Sequence, residues 1–156
     1  MVIVEDALSG AAVRNLLRLH LAGMHENSPR DAVFALDLSG LAAPEVTVWT
    51  AWEGEKIAGI GALKRLSGDL GEIKSMRTHP DFLRCGVAAA LLDHIIDKGR
   101  ADGVTRLALE TGSGPAFEPA LALYRKRGFQ PCGPFGGYEA SPFNQFMALA
   151  LTERAV

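Results

Sequence analysis

Residues Gly71 to Leu92 read GEIKSMRTHPDFLRCGVAAALL. The stretch begins as a strand, meets a His-Pro breaker at His79 and Pro80, makes a short loop, and enters a helix at Gly86. Val87, Leu91, Leu92, Ile95 and Ile96 recur there at helical spacing. A loop of this kind presents unpaired backbone N–H groups at the positive end of a helix. That geometry holds a phosphate or pyrophosphate without a basic side chain. Gly86 lets the backbone approach a ligand, and Ala88 and Ala89 keep the first turn free of bulk.

Outward from this stretch, the helix is expected to end near Asp102 with Gly103 as its C′ residue, and Val104 to Glu110 reads as the next strand. Strand, helix, strand of this length predicts a βαβ unit, two parallel strands with a right-handed crossover. Upstream, Val46 to Glu53 and Lys56 to Arg65 flank the turn Glu53-Gly54-Glu55 as an antiparallel pair, and a second turn at Ser67 to Asp69 leads back into the central strand. The N-terminal part reads as a strand over Met1 to Glu5, then a helix from Ser9, as N-cap, to about Gly23, with Val13, Leu16, Leu17, His20 and Met24 on its inner face. Glu26 to Pro44 is irregular around a short helix from Pro29 to Leu38. Downstream, a helix from about Pro115 to Arg127 is stopped by Gly128. Strands over Phe129 to Cys132 and Asn144 to Leu151 close the sheet. With neither repeat nor linker in its 156 residues, the chain reads as one α/β domain over 1–156.

The balance of 16 basic and 18 acidic residues gives a net charge of −2, so no overall basic field draws the chain to nucleic acid or to an anionic membrane. No apolar run reaches the roughly 18–20 residues of a membrane span, and a charged n-region followed by an apolar h-region is missing at the N-terminus. A cytoplasmic protein acting on a small molecule, as monomer or homodimer, is the expectation. Cys85 and Cys132 are expected to stay reduced. Cys and His spacing suggests no metal, and the Gly112-Ser113-Gly114 run lacks the third glycine of a dinucleotide fingerprint, since Phe117 stands in its place.

The run HPDFLRCGVAAALLDHI resembles the acyl-CoA-binding motif of the GNAT superfamily of N-acetyltransferases: Gln or Arg, two residues, Gly, one residue, then Gly or Ala. Gly86 and Ala88 fill the small positions, while the first position falls on Leu83 and Arg84 stands one place late. ALALYRKRGF, from Ala120 to Phe129, is similar to the family's A-x-x-L-Y-x-x-x-G-F segment, although the Asn that often precedes it is replaced by Phe117. Two motifs in the right order and separation are far more specific than either alone. The run from Leu109 to Phe135 resembles a small-molecule branch of bacterial GNAT proteins.

The resemblance implies a central mixed sheet of about six to seven strands with helices on both faces. It implies acetyl-CoA as acyl donor, no metal, and direct acetyl transfer to a primary amine. The pyrophosphate grip would come from the backbone of Arg84, Cys85, Gly86, Val87, Ala88 and Ala89. An oxyanion-stabilising N–H would lie near Met76, Arg77 and Thr78, where a bulge splays two parallel strands. Tyr124 would return a proton to the thiolate, a phenol of pKa about 10 being suited to that task. Glu72, His79 and Glu110 are the candidates for general base, with Glu72 favoured by the resemblance. Arg30, Phe34 and Asp37 are candidates for one acceptor wall, the Gly133 to Pro142 loop for another, with Glu110 beside them. Arg77 could also pair with a substrate carboxylate. Cys85 as a covalent nucleophile lacks an evident base. The competing expectations are a non-catalytic acyl-CoA-binding sensor or interaction module, and an acetyltransferase for protein or peptide amines.

Overall fold

The computed structural model describes residues 1–28, 38–66 and 69–151. The hairpin forms around Gly54, whose φ of 58° suits a residue without a Cβ. It joins β2 (Val46–Glu53) to β3 (Lys56–Arg65) in antiparallel register, Val46 opposite Lys64. β1 (Val2–Glu5) adds to the outer edge of β2, and β4 (Leu70–Thr78) pairs with the inner edge of β3. From β4 the chain makes a 3₁₀ turn (Pro80–Phe82) and then α3 (Val87–Ala101), and returns as β5 (Arg106–Thr111), parallel to β4. β6 (Gln130–Pro131) and β7 (Gln145–Ala150) complete a seven-stranded mixed sheet in the order β1-β2-β3-β4-β5-β7-β6.

The helices follow the apolar spacing. α1 (Ala11–Asn27) buries Val13, Leu16 and Leu17 against Val48, Ile57 and Ile60 on one face of the sheet. α3 buries Leu91, Leu92 and Ile95 against Trp49, Leu63 and Ile73 on the other. Each of these fully buried aliphatic side chains contributes roughly 1.5–3 kcal/mol relative to exposure. α4 (Glu118–Lys126) joins the second cluster through Leu121 and Tyr124, and Arg127 just beyond it donates to Asp93 of α3 at 2.7 Å. A one-turn α2 (Leu38–Leu41) precedes β2.

Some boundaries differ from expectation. α1 starts after Gly10, with no side-chain cap, and runs on to Asn27, so Ser9 is not the N-cap. α4 begins at Glu118 because residues 114–117 form a turn, closed by Phe117 N–H donating to the Gly114 carbonyl at 3.0 Å. The short helix expected over 29–38 and the turn at 67–68 fall almost wholly outside the described residues.

Two irregularities in β4 shape the site. Ile60 pairs with Arg77 and Ala62 with Lys74, so Ser75 and Met76 together oppose Gly61. This is a β-bulge, and Ser75 takes a φ of 58° within it. The parallel ladder between β4 and β5 then stops at Glu72 opposite Ala108. Beyond that point the two strands part. The bulge lies at Ser75–Met76, slightly ahead of the Met76 to Thr78 segment the resemblance indicated.

Candidate active site

Where β4 and β5 separate, a cavity of about 170 Å³ opens between α1, α4 and the two strands. Glu72, Lys74, Ser75 and Arg77 of β4 line it, with Glu110 of β5 and Tyr124 of α4. Of the residues singled out from sequence, Glu72, Met76, Arg77, Glu110 and Tyr124 thus come together. Thr78 lies at the end of β4 opposite Gly59, outside the lining. Arg30, Phe34 and Asp37 lie outside the described residues.

The loop into α3 is shaped by two residues in the left-handed region. Arg84 and Gly86 take φ values of 61° and 80°, and Gly86 is the N-cap with no side-chain hydrogen bond. The Cys85 amide is already taken by the Phe82 carbonyl at 3.3 Å, and within the helix the first amide to find an acceptor is that of Ala90, which donates to Gly86 at 3.0 Å; those of Val87, Ala88 and Ala89 have none among the described residues. A Cβ placed on Gly86 would meet nothing within 4 Å, so the space before the helix is open. Unpaired amides, a helix N-terminus and open space fit a pyrophosphate-bearing donor. Cys85 is exposed, and its thiol faces the Leu83 carbonyl at 3.5 Å rather than a base. His79 is structural: its Nδ1 accepts from the Asp81 amide at 3.1 Å and caps the 3₁₀ turn.

At the acidic end of the cavity Glu72, the favoured base, is buried and only 3% exposed. Its Oε2 accepts from the Tyr138 hydroxyl at 2.5 Å and from Lys74 Nζ at 3.2 Å, and Lys74 also donates to the Tyr138 oxygen at 2.7 Å. Two donors therefore occupy that carboxylate. Glu110, two positions beyond Ala108 on β5, is the less engaged acid. Burial pushes its carboxyl up to about 7, with Lys74 opposing and Glu72 reinforcing the rise. Tyr124 is buried against Phe129, and burial raises its phenol above the ordinary value, so it keeps its proton at neutral pH.

Arg77 does not reach along β4 toward the donor side. Its Nη2 donates to the Leu19 carbonyl of α1 at 3.3 Å, and the guanidinium packs on Gly23, where a Cβ would collide with it. Sequence reasoning missed Lys74 and Tyr138, and read His20 only as an apolar-face residue. Tyr138 belongs to the loop expected as a wall, but pairing across 66 positions leaves no local signal. Among the described residues no helix is long and apolar enough to cross a membrane, and no three His, Cys, Asp or Glu side chains gather to hold a metal ion.

Comparison with known proteins agrees with this geometry. The sequence is 48% identical over 97% of the chain to all of the uncharacterized N-acetyltransferase YsnE of Bacillus subtilis. It is 45% identical, again over 97% of the chain, to 95% of the uncharacterized N-acetyltransferase YedL of Escherichia coli. An IAA acetyltransferase of Azospirillum brasilense is 38% identical over 76% of this chain and 77% of that one. In three dimensions, an acyl-CoA N-acyltransferase fold from Klebsiella pneumoniae superposes with a TM-score of 0.81 at 26% identity, covering 97% of both chains. The acetyltransferase (GNAT) family pattern itself matches residues 11–129. With that match across the loop, the parted strands and the Tyr124 helix, the chain belongs to the GNAT family of acetyltransferases.

Proposed function

We propose that this acetyltransferase moves an acetyl group from acetyl-CoA directly to a primary amine of a small molecule, as a cytoplasmic monomer or homodimer. The observation that carries the reading is the set of free amides at Val87, Ala88 and Ala89, next to the opening between β4 and β5. The donor supplies an activated thioester there. The chain's own groups do the rest.

Glu110 takes the base role in this reading, because it is near half-charged at neutral pH, whereas Glu72 is occupied by Lys74 and Tyr138. It accepts a proton from the incoming ammonium, freeing the nitrogen lone pair. Backbone N–H groups of β4 beyond Glu72, which have no partner strand on the β5 side, are the candidates to receive charge developing on the acyl oxygen. Tyr124 holds the proton that the departing sulfur needs. A small acceptor fits the cavity of about 170 Å³.

The test begins with the thermal midpoint in acetyl-CoA, CoA, ATP and NAD. Acetyl-CoA or CoA at a hundred times its dissociation constant adds about 2.7 kcal/mol, while ATP and NAD leave the midpoint in place. An equal shift with ATP, or none with acetyl-CoA, would overturn the donor assignment. A panel of amines is then followed by thiol release. Donor binding without amine-dependent thiol release would make the protein an acyl-CoA-binding module instead.

A further inference from the structure

The charges lining the cavity do not all pair with one another. Glu72 and Lys74 neutralise each other at 3.2 Å. Glu110 has no ion pair within salt-bridge distance, and Arg77 has none either among the described residues. One acid and one cation are left over, and both face the same cavity.

Their spacing follows from the register. Glu72 lies opposite Ala108, so Glu110 is level with Lys74. Ser75 and Met76 share one position opposite Gly61, so Arg77 is two positions further on. At the rise of a strand that is roughly 7 Å along the sheet. A small zwitterion spans such a gap when each end makes its own charged hydrogen bond.

Two further polar groups line the same cavity as Arg77. Ser75 is 7% exposed and His20 is 6% exposed; Ser75 Oγ and His20 Nδ1 are buried with no hydrogen-bond partner among the described residues, and both residues line the cavity. Buried polar atoms are rarely left unpaired, so two in a cavity that also holds an unpaired cation point to a ligand that supplies their partners. Burial, then the charge of Arg77, lowers the His20 pKa to about 4, so the imidazole is neutral. With its proton on Nδ1 it is a donor that adds no second charge.

We propose that Arg77, Ser75 and His20 form a carboxylate subsite, and that the acceptor is a small primary amine that also carries a carboxylate, its nitrogen directed to Glu110. The proposal rests on the acetyltransferase reading above. Arg77 supplies the charge, and Ser75 and His20 supply neutral donors. A neutral amine, or a polyamine with no acidic group, leaves all three unsatisfied.

The test compares free amino acids, their amides and the matching decarboxylated amines as acceptors, followed by thiol release. The expected result is kcat/KM at least tenfold higher for the free acids. Arg77→Gln should abolish that preference by raising KM for acids, with the KM for acetyl-CoA unchanged. Ser75→Ala, which removes no existing hydrogen bond, should raise the acid KM several-fold and leave the amide KM alone. Turnover of amides or decarboxylated amines as good as that of acids overturns the subsite while acetyl transfer stands. Equal losses for acids and amides in both variants do the same. If no amine is turned over, melting of the CoA-saturated protein gives the answer: stabilisation by amino acids and not by their amides supports the subsite, and none refutes it. Absence of any CoA binding would mark failure of the underlying acetyltransferase reading instead.

Discussion

The hydroxyl of Tyr138 donates to Glu72 Oε2 at 2.5 Å, tying the loop before β7 to the middle of the sheet across 66 positions of sequence. Phe135 and Phe146 pack edge-on and tilted around the same ring, and Lys74 Nζ lies 5.5 Å from its centroid. The loop is therefore held by two charge-assisted hydrogen bonds at the Tyr138 oxygen, one given to Glu72 and one received from Lys74, and by a small aromatic cluster. Tyr138→Phe keeps the cluster and removes both bonds. The expected cost is at least about 1.5–3 kcal/mol, because both lost bonds are to buried charged groups. For a domain of this size each kcal/mol lowers the thermal midpoint by about 2–4 °C. Calorimetry of the variant checks it, and an unchanged midpoint would show that the loop is held by packing alone.

Tyr124→Phe isolates the phenol from its ring. The ring stays in the core with Leu121 and Phe129, so folding should be nearly unchanged. Turnover should fall by about 10²-fold if the hydroxyl delivers a proton to the leaving group, with acetyl-CoA affinity intact. Equal losses in kcat and affinity would make the hydroxyl a binding group.

The pH profile should report Glu110. With a carboxyl pushed up to about 7, kcat/KM should rise through neutral pH as the base ionises, and Glu110→Gln should remove that limb along with most of the activity. Stability runs the other way. The folded-state pKa is above the ordinary carboxyl value of 4.5, so the folded state favours the protonated acid. Stability is then greatest below about 4.5 and declines as pH rises toward 7. Glu110→Gln should accordingly melt higher than the parent at pH 8 and no higher at pH 4. A pH-independent difference would contradict the assignment.

Gly86→Ala probes the loop in two ways. At a φ of 80° an L-residue is strained, so the free protein should lose about 1–2 kcal/mol. The added methyl meets no protein atom within 4 Å, so the strain is conformational only. A further loss appears with CoA present if the donor fills that space. Melting with and without CoA separates the two, and the ligand-induced shift should be smaller in the variant.

Much of this architecture was legible because it is local. Gly54, Gly103 and Gly128 mark turns with φ values of 58°, 84° and 96°, and each ends or joins an element where the sequence places it. The apolar spacings of Val13 to His20 and Val87 to Ile96 identify the buried helix faces. The site was only half legible. Tyr124 and the loop before α3 carry motifs, but the engagement of Glu72 depends on Lys74 and Tyr138 folding onto it. The direction of Arg77 depends on Gly23, from a helix 54 positions earlier, leaving room for a guanidinium. Nothing within β4 alone announces either contact.

The doubled position at Ser75 and Met76 acts on β4 as a shift of reading frame. Ile73 packs with the cluster around Ile95, and so does Met76, whose sulfur would lie 2.6 Å from a Cβ on Gly61. Strict alternation would instead group Ile73, Ser75 and Arg77 on that apolar side and turn Met76 toward the acids. One supernumerary residue thus sends the methionine to the apolar side of the strand and the arginine to the side of Glu72 and Lys74, although both border the cavity, without altering any side chain. Deleting Ser75 should swap them back, so the polarity of the acceptor site is written in the length of the strand as much as in its composition.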